Sequence, residues 1–255
     1  MNFQIKEVGQ YKYVDEGQGD VLLLLHGLFG ALSNWDGVIS HFSKEYRVMI
    51  PILPILDMPV KSATIEGLTE FVEGFVNIMN ISDLSLLGNS LGGHIALVYT
   101  MRNPENVRKI VLTGSSGLFE NTMGGSYPKR GDRKYIEERV KYTFYDPNMA
   151  DEALIEEVMN ITNNIRRGLN IVSIAKSAQR QNLAADIQKI EVPVLLIWGL
   201  NDTITPPHVA HEFNRLLPNS DLRFIDKCGH APMMEHPDKF NEYLDEFLQK
   251  SIVNV

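Results

Sequence analysis

The sequence predicts an α/β protein with a mostly parallel sheet, helices on both faces and one helical insertion. Short aliphatic runs bounded by Gly, Pro, Asn or Asp alternate with longer amphipathic stretches, as expected for buried parallel strands joined by helices. One long stretch breaks this alternation. The runs predicted to be strands are Val21–Leu25, Val48–Leu53, Leu84–Leu87, Val107–Leu112, Val194–Trp198 and Leu222–Ile225.

The N-terminal pattern is different. Phe3–Val8 and Tyr11–Asp15 are separated by Gly9-Gln10, a two-residue turn signal that predicts a hairpin and an antiparallel start to the sheet. Later stretches carry apolar residues near helical spacing, which predicts helices between the strands. The helices predicted around the sheet are Ala31–Phe42, Thr64–Asn80, Leu91–Asn103, which Pro104 ends, Pro206–Leu217 and Pro237–Ser251.

The stretch that breaks the alternation runs from Leu118 to Ile190. It contains no strong strand pattern, and it opens with a Gly-rich, basic section at 123–131. We therefore expect residues 1–117 and 191–255 to form one α/β core, with residues 118–190 as a helical insertion. The helices predicted inside it are Lys134–Thr143, Asp151–Asn160 and Asn164–Asn182.

Composition narrows the classes of protein that fit. The 255 residues are 44% hydrophobic and 22% charged, which is ordinary globular composition, and the net charge of −8 argues against a nucleic-acid partner. The single cysteine, Cys228, cannot form an intramolecular disulfide, so a reducing compartment is compatible. No signal-peptide pattern and no run long enough to span a bilayer is seen. We expect a cytoplasmic protein without a membrane partner, as a monomer or homodimer.

The strongest chemical signal is Gly88-Asn89-Ser90-Leu91-Gly92, which fits the pattern Gly-x-Ser-x-Gly. The pattern alone is short and occurs by chance. Here a predicted strand precedes it and a predicted helix follows it. A sharp strand-to-helix turn strains the serine backbone and exposes its Oγ, and the glycines let neighbouring backbone pass. Ser90 is therefore the candidate nucleophile.

A serine needs a base at neutral pH, and the base needs an acid that fixes its tautomer. His230 directly follows the last predicted strand, and Asp202 follows the strand before it. Loops after parallel strands meet at the same sheet edge, where Ser90 also lies. An N-cap or Asx-turn role remains open for Asp202, and Asp226 is the fallback acid.

The oxyanion of an acyl-transfer reaction needs backbone donors. Leu91 adjoins the nucleophile, and Leu28 follows His26-Gly27 at the end of a predicted strand, so their N–H groups are the candidate pair. We expect His26 to be structural. No His, Cys or carboxylate spacing indicates a metal site, and no phosphate-binding or dinucleotide-binding motif indicates a cofactor.

With these residues assembled, the chain resembles the α/β-hydrolase superfamily. It is similar to the lidded, single-domain branch that holds small esterases, cofactor-free haloperoxidases and carbon–carbon bond hydrolases. The resemblance implies an α/β-hydrolase fold in which residues 118–190 form a cap over the active site. The motifs that carry it are His26-Gly27, Asn34-Trp35, Gly88–Gly93, Val192–Gly199 with Asp202, and Gly229–Pro232 with Glu235 and Pro237.

The expected reaction is hydrolysis of a carboxylic ester or thioester, free or carrier-bound, through an acyl-enzyme. The first alternative is carbon–carbon bond hydrolysis of meta-ring-fission-type diketones, because Asn89 and Leu91–Gly93 are similar to the nucleophile motif of those enzymes. Those enzymes usually carry a proline-containing, Gly-rich stretch after His-Gly and an Arg before the acid. In this chain Leu28–Ala31 follows His26-Gly27, and Leu200-Asn201 precedes Asp202. Because both features differ from those enzymes, ester or thioester hydrolysis is the first expectation. The second alternative is a non-catalytic ligand-binding protein.

Residues around the site give weaker signals. The apolar, glycine-free stretch Pro51–Pro59 is either a buried structural loop or a part of the site mouth that meets the cap. A basic cluster in the predicted cap is either a solvated helix face or a landing patch for an acidic substrate or carrier protein; its members are Lys129, Arg130, Arg133, Lys134, Arg139 and Lys141. The residues predicted to line the substrate pocket are Phe29, Asn89, Phe119, Met123, Tyr127 and Met233.

Overall fold

The computed structural model describes residues 3–30, 35–120 and 131–250. Within these ranges the strands form one eight-stranded sheet in the order β1-β2-β4-β3-β5-β6-β7-β8. β1 and β2 pair antiparallel, β2 pairs antiparallel with β4, and the remaining pairs are parallel. The strands are β1 (Lys6–Val8), β2 (Tyr11–Glu16), β3 (Val21–Leu25), β4 (Arg47–Pro51), β5 (Leu84–Asn89), β6 (Val107–Thr113), β7 (Val194–Gly199) and β8 (Ser220–Ile225).

Helices cover both faces of this sheet, which confirms the predicted fold class. Residues 31–34 and 251, at the ends of two predicted helices, lie outside the described residues. The four-residue helix α8 follows His230 and was not predicted. The α-helices in the described ranges are α1 (Asp36–Phe42), α2 (Ile65–Ile78), α3 (Leu91–Arg102), α4 (Arg133–Lys141), α5 (Glu152–Asn163), α6 (Ile165–Arg180), α7 (Pro207–Leu216), α8 (Pro232–Glu235) and α9 (Pro237–Gln249).

The strand residues divide between two cores because successive side chains of a strand point to opposite faces. In β3, Leu23 and Leu25 belong to the core cluster that also contains residues of α2, α3 and α7, whereas Leu22 and Leu24 belong to the cluster that contains residues of α1 and α9. All four leucines are fully buried. An uninterrupted aliphatic run therefore contributes side chains to the apolar layers on both faces of the sheet, and the central strands are buried between these layers.

The chain between β6 and β7 contains α4, α5 and α6, and no strand lies in its described part. α4 and α5 have a small apolar cluster of their own, separate from the two cores of the sheet, and Phe29 packs against it. Its buried members are Ile136, Val140, Ala150, Ile155 and Val158. The buried apolar residues of α6 belong instead to the core that contains α2 and α3. We call residues 118–190 the helical segment.

The loop at 51–59 contacts the helical segment. Asn170 of α6 donates a hydrogen bond from its side-chain nitrogen to the carbonyl oxygen of Met58 at 2.9 Å, and Arg167 lies 3.9 Å from the carboxylate of Asp57. Leu53 and Ile55 of the same loop are buried in a core cluster. The loop is thus a buried structural connection that also meets α6.

No helix in the described part of the chain is both long enough and apolar enough to cross a membrane.

Candidate active site

Ser90 lies at the junction between β5 and α3 in a backbone conformation that side-chain-bearing residues rarely adopt. Its φ is +54° and its ψ is −117°, and its backbone N–H donates to the carbonyl oxygen of Thr113 on β6 at 3.0 Å. A positive φ at a non-glycine residue costs free energy and persists only where the surroundings impose it. The sharp turn expected from the Gly-x-Ser-x-Gly pattern is therefore present.

The glycines around Ser90 are required by close backbone approach. A Cβ on Gly92 would lie 2.0 Å from the carbonyl oxygen of Leu25, and a Cβ on Gly88 would lie 2.5 Å from the carbonyl oxygen of Gly92. A Cβ on Gly93 would lie 2.3 Å from Oγ of Ser115. A side chain would push α3 away from β3 at Gly92, from β5 at Gly88 and from the loop after β6 at Gly93. The motif is therefore a packing requirement that places Ser90.

Asp202 and His230 are directly hydrogen-bonded. Nδ1 of His230 lies 2.8 Å from Oδ2 of Asp202, and both residues are buried, with 3% of Asp202 and 7% of His230 exposed. The other oxygen, Oδ1, accepts hydrogen bonds from the backbone N–H groups of Ile204 at 2.8 Å and Thr205 at 2.9 Å. The carboxylate thus makes the Asx-type turn considered above and also contacts the imidazole.

Opposing effects set the pKa of His230. Burial lowers it, whereas the charge and hydrogen bond of Asp202, together with Glu120 and Glu235, raise it. The net result is a pKa above the ordinary value. An imidazole held in this way is a stronger proton acceptor than a free histidine.

Thr205 is a further residue of the acid's environment, and the motifs gave no sign of it. Its Oγ1 donates to Oδ2 of Asp202 at 2.9 Å, the same oxygen that contacts His230. Its carbonyl oxygen accepts from Nε1 of Trp198 at 2.7 Å, and its side chain is fully buried. Asp226, the fallback acid, is exposed.

The candidate oxyanion donors come from the ends of β3 and β5. Leu28 and Leu91 both line the same cavity as Ser90 and His230. His26 anchors the first of these loops: Nδ1 lies 2.8 Å from the carbonyl oxygen of Gly27, and Nε2 lies 3.3 Å from the backbone nitrogen of Leu53. These partners require a neutral ring with its proton on Nδ1. Burial lowers the pKa of His26, which favours the neutral ring.

The cavity at this edge of the sheet has a volume of about 440 Å³. Ser90, His230 and the oxyanion candidates form its floor, and side chains from α4, α5 and α6 form other walls. Most of the lining is apolar. Among the residues that the structure describes, its charged members are Glu120, Arg139 and Lys176.

Two of the predicted pocket residues line this cavity, Phe29 and Asn89. The amide nitrogen of Asn89 also donates to the carbonyl oxygens of Thr113 at 3.1 Å and His230 at 3.3 Å. Asn89 therefore ties β5, which ends next to Ser90, to the loop that carries His230. Met123 and Tyr127 lie outside the described residues.

Two other predicted pocket residues lie elsewhere, which corrects the prediction. Phe119 is 49% exposed, and its ring lies 5.6 Å from that of His208. Met233 is buried in the core cluster that contains α1 and α9, and its neighbour Met234 lines the cavity instead. The turn of α8 sends consecutive side chains in different directions, and that helix was not predicted.

Glu120 was also missed by sequence reasoning. It lines the cavity, and burial raises the pKa of its carboxyl group, although the charge of His230 acts in the opposite direction. No motif marks this position, since it lies in a loop before the Gly-rich section.

Among the described residues, no group of three or more His, Cys, Asp or Glu side chains is placed to hold a metal ion.

The sequence profile of the alpha/beta hydrolase fold family matches residues 20–237. This range includes all five residues proposed for nucleophile, acid, base and oxyanion donors. The chain belongs to the alpha/beta hydrolase fold family.

Individual relatives carry different activities. A 2-hydroxy-6-oxononadienedioate/2-hydroxy-6-oxononatrienedioate hydrolase of Escherichia coli (strain K12 / DH10B) is 28% identical over 92% of this chain and 90% of that protein. A pimeloyl-[acyl-carrier protein] methyl ester esterase of Nitrosomonas europaea is 27% identical over 90% of this chain and 96% of that protein. The crystal structure of MGS-MChE2, an alpha/beta hydrolase enzyme from a Moroccan lagoon metagenome, is 39% identical, with a TM-score of 0.80 and coverage of 96% and 98%.

The packing role of Gly92 can be tested by comparing alanine substitution there with alanine substitution at Gly168, which has open space around it. Gly92→Ala should lower the free energy of unfolding by about 3 kcal/mol or more, because backbone of β3 stands where the methyl group must go. Gly168→Ala should raise it by about 0.5–1 kcal/mol, because Gly168 is inside α6 and the nearest atom is 3.9 Å from the new Cβ. Urea unfolding measures both, and equal effects would contradict the packing argument.

Proposed function

We propose that this protein is a serine hydrolase whose nucleophile, base and acid are Ser90, His230 and Asp202. The observation that carries the proposal is the buried 2.8 Å contact between His230 and Asp202 in the cavity that Ser90 also lines. The strained backbone of Ser90 adds support, because such strain is found where a side chain is held out for reaction.

The proposed reaction has two halves. His230 accepts the proton of Ser90 as Oγ attacks the carbonyl carbon, and the backbone N–H groups of Leu28 and Leu91 stabilise the oxyanion. The leaving group departs with the proton from His230, which leaves an acyl-enzyme. Water, deprotonated by His230, then cleaves the acyl-enzyme and restores Ser90.

For the substrate, the relatives reverse the order in which the two reactions were ranked from sequence. The first candidate is hydrolysis of a carbon–carbon bond next to a ketone, in an acid of the meta-ring-fission type. The Escherichia coli relative named for this reaction aligns over 92% of the chain. The cavity also fits an unsaturated carboxylic acid, because its walls are mainly apolar and include Arg139 and Lys176. In this reaction the 2-hydroxy-dienoate reacts as its 2-oxo tautomer, in which the proton of the 2-hydroxyl has moved to the carbon next to the ketone. After attack on the ketone, that carbon departs as a dienolate, which takes its proton from His230.

Ester hydrolysis is the second candidate. The Nitrosomonas europaea relative, which is 27% identical to this chain, is named for a methyl ester borne by an acyl carrier protein. A carrier-bound ester is therefore included in this candidate. An apolar cavity of about 440 Å³ accommodates an acyl chain of modest length. Both candidates use the same nucleophile, base and oxyanion donors, and differ in the leaving group.

We further propose that the helical segment, residues 118–190, is a cap over the site, with residues 1–117 and 191–255 as the core. The support is the separate apolar cluster of α4 and α5 and the contribution of α4, α5 and α6 to the cavity walls. Apart from Arg139, which lines the cavity, the basic cluster fits a solvated helix face better than a landing patch. Arg133 pairs with Glu152 and Glu156, Lys141 pairs with Glu137, and Lys129 and Arg130 lie outside the described residues.

Replacement of the nucleophile gives a direct kinetic test. Ser90→Ala should lower kcat/KM for any hydrolysed substrate by about 1,000-fold or more, because Ser90 supplies the hydroxyl that forms the acyl-enzyme in the proposed mechanism. Ser220→Ala on β8 is the control and should stay within about two-fold of the original protein. Retention of most activity in Ser90→Ala would exclude the mechanism.

The pH dependence tests the pair formed by His230 and Asp202. Because a protonated imidazole cannot accept the serine proton, kcat/KM should fall as the pH drops through the pKa of His230. The raised pKa places the midpoint of this acid limb above about 6.5, the value for a free histidine. In Asp202→Asn the midpoint should move down, because burial remains while the stabilising charge is lost. An unchanged midpoint would contradict the assigned pair.

A substrate panel separates the two reactions. The panel contains a 2-hydroxy-6-oxo-dienoate and the analogue that carries a second carboxylate, a dienedioate. These two acids are compared with p-nitrophenyl and methyl esters of matched chain length. We expect kcat/KM for the oxo-acids to exceed that for the esters by about ten-fold or more. The reverse order would assign the protein to ester hydrolysis, and Ser90→Ala run in parallel shows whether both activities use one site.

A further inference from the structure

Glu235 joins the loop of the proposed base to the helical segment. Its Oε1 accepts a hydrogen bond from the backbone N–H of Gly229 at 2.7 Å, immediately before His230. Its Oε2 accepts from the N–H groups of Tyr145 at 2.8 Å and Asp146 at 3.3 Å, in the chain that follows α4. A single carboxylate therefore accepts three backbone donors from two distant parts of the chain.

The chain that follows α4 also contacts both catalytic loops directly. We call residues 142–146 the bridging segment. The backbone N–H of His230 donates to the carbonyl oxygen of Thr143 at 2.8 Å, and Oγ1 of Thr203, next to Asp202, donates to the carbonyl oxygen of Tyr142 at 2.9 Å. The base and the acid are thus both tied to one short segment of the chain.

The backbone at Gly229 and the backbone of the bridging segment are in close contact. A Cβ on Gly229 would lie 2.6 Å from the carbonyl oxygen of Thr143, so only glycine fits at this position. Glu235 is half-buried. Burial raises the pKa of its carboxyl group, while the N–H groups of Gly229, Tyr145 and Asp146 favour the ionised form.

We propose that Glu235 is a positioning residue that fixes His230 against the bridging segment and so sets the place of the base between Asp202 and Ser90. The inference rests on the proposed role of His230 as base. Both carboxylate oxygens are needed, because one holds the loop of the base and the other holds the bridging segment. A neutral amide has one oxygen, and its nitrogen donates rather than accepts. Glu235→Gln therefore preserves shape and releases one end of the connection.

The experiment uses the full chain and two readouts. The first is the second-order rate at which a small fluorophosphonate labels Ser90, which reports activation of the serine with little dependence on substrate binding. The second is the exchange rate of the backbone amides of Gly229 and Tyr145, measured by NMR, which reports the connection without any reaction. Kinetic constants for the best substrate of the panel accompany both.

Glu235→Gln should lower kcat and the labelling rate by about 10- to 100-fold, because a small displacement of a catalytic group has effects of this size. KM should stay within about three-fold, and exchange at Gly229 or Tyr145 should increase at least ten-fold. The matched control is Glu73→Gln, since Glu73 accepts from Asn103 and contacts Arg102 away from the cavity. It should leave labelling and exchange at these amides unchanged.

Labelling and kcat within two-fold of the original protein in Glu235→Gln would overturn the proposal, and so would losses that Glu73→Gln reproduces. If Glu235→Gln does not fold, Glu235→Asp provides the same test, because the shorter side chain keeps the charge and cannot reach both ends. An original protein that takes up no label contradicts the proposed function itself. Efficient labelling that is insensitive to Glu235 contradicts only the positioning role.

Discussion

The site depends on one backbone constraint, the left-handed conformation of Ser90 at the end of the central strand β5. β5 lies between β3 and β6, and backbone from both sides closes around the turn. Gly92 approaches the carbonyl oxygen of Leu25 on β3, and the N–H of Ser90 reaches Thr113 on β6. The neighbouring strands therefore impose the strain, and the apolar layers on both faces of the sheet hold those strands in place.

The carboxylate of Asp202 is also held in place by the groups around it. A buried carboxylate is costly unless it is hydrogen-bonded and paired, and Asp202 meets both conditions through four contacts. Those contacts also fix its direction, so one oxygen is presented to His230. Glu235 and the bridging segment act on the other side of the base. The imidazole of His230 is thus held by the carboxylate of Asp202, and the backbone N–H of the same residue is held by the carbonyl oxygen of Thr143 in the helical segment. His230 and Thr143 both line the largely apolar cavity.

Much of this arrangement could be predicted from sequence, because its signals are local. The run Val21–Leu25 coincides with β3, and the loops after β5, β7 and β8 bring together residues that lie 28 or more positions apart in the chain.

The helix α8 was missed because four residues give no periodicity, and Met233 was assigned to the pocket in place of Met234 for that reason. Thr205 was missed because its hydroxyl contacts Asp202 within one loop, three residues away, and no motif marks that contact in the sequence. The order of the two reactions relied partly on Leu200, which is 45% exposed and does not line the cavity.

The central claim, that Ser90 is a nucleophile activated by His230 and Asp202, is tested most directly by covalent labelling. The protein is treated with a fluorophosphonate, and the site and extent of modification are determined by intact-mass and peptide mass spectrometry, with His230→Ala in parallel. The account predicts one adduct per chain, on Ser90, and labelling slower by about 1,000-fold in His230→Ala. An unmodified Ser90, or equal labelling in His230→Ala, would contradict it.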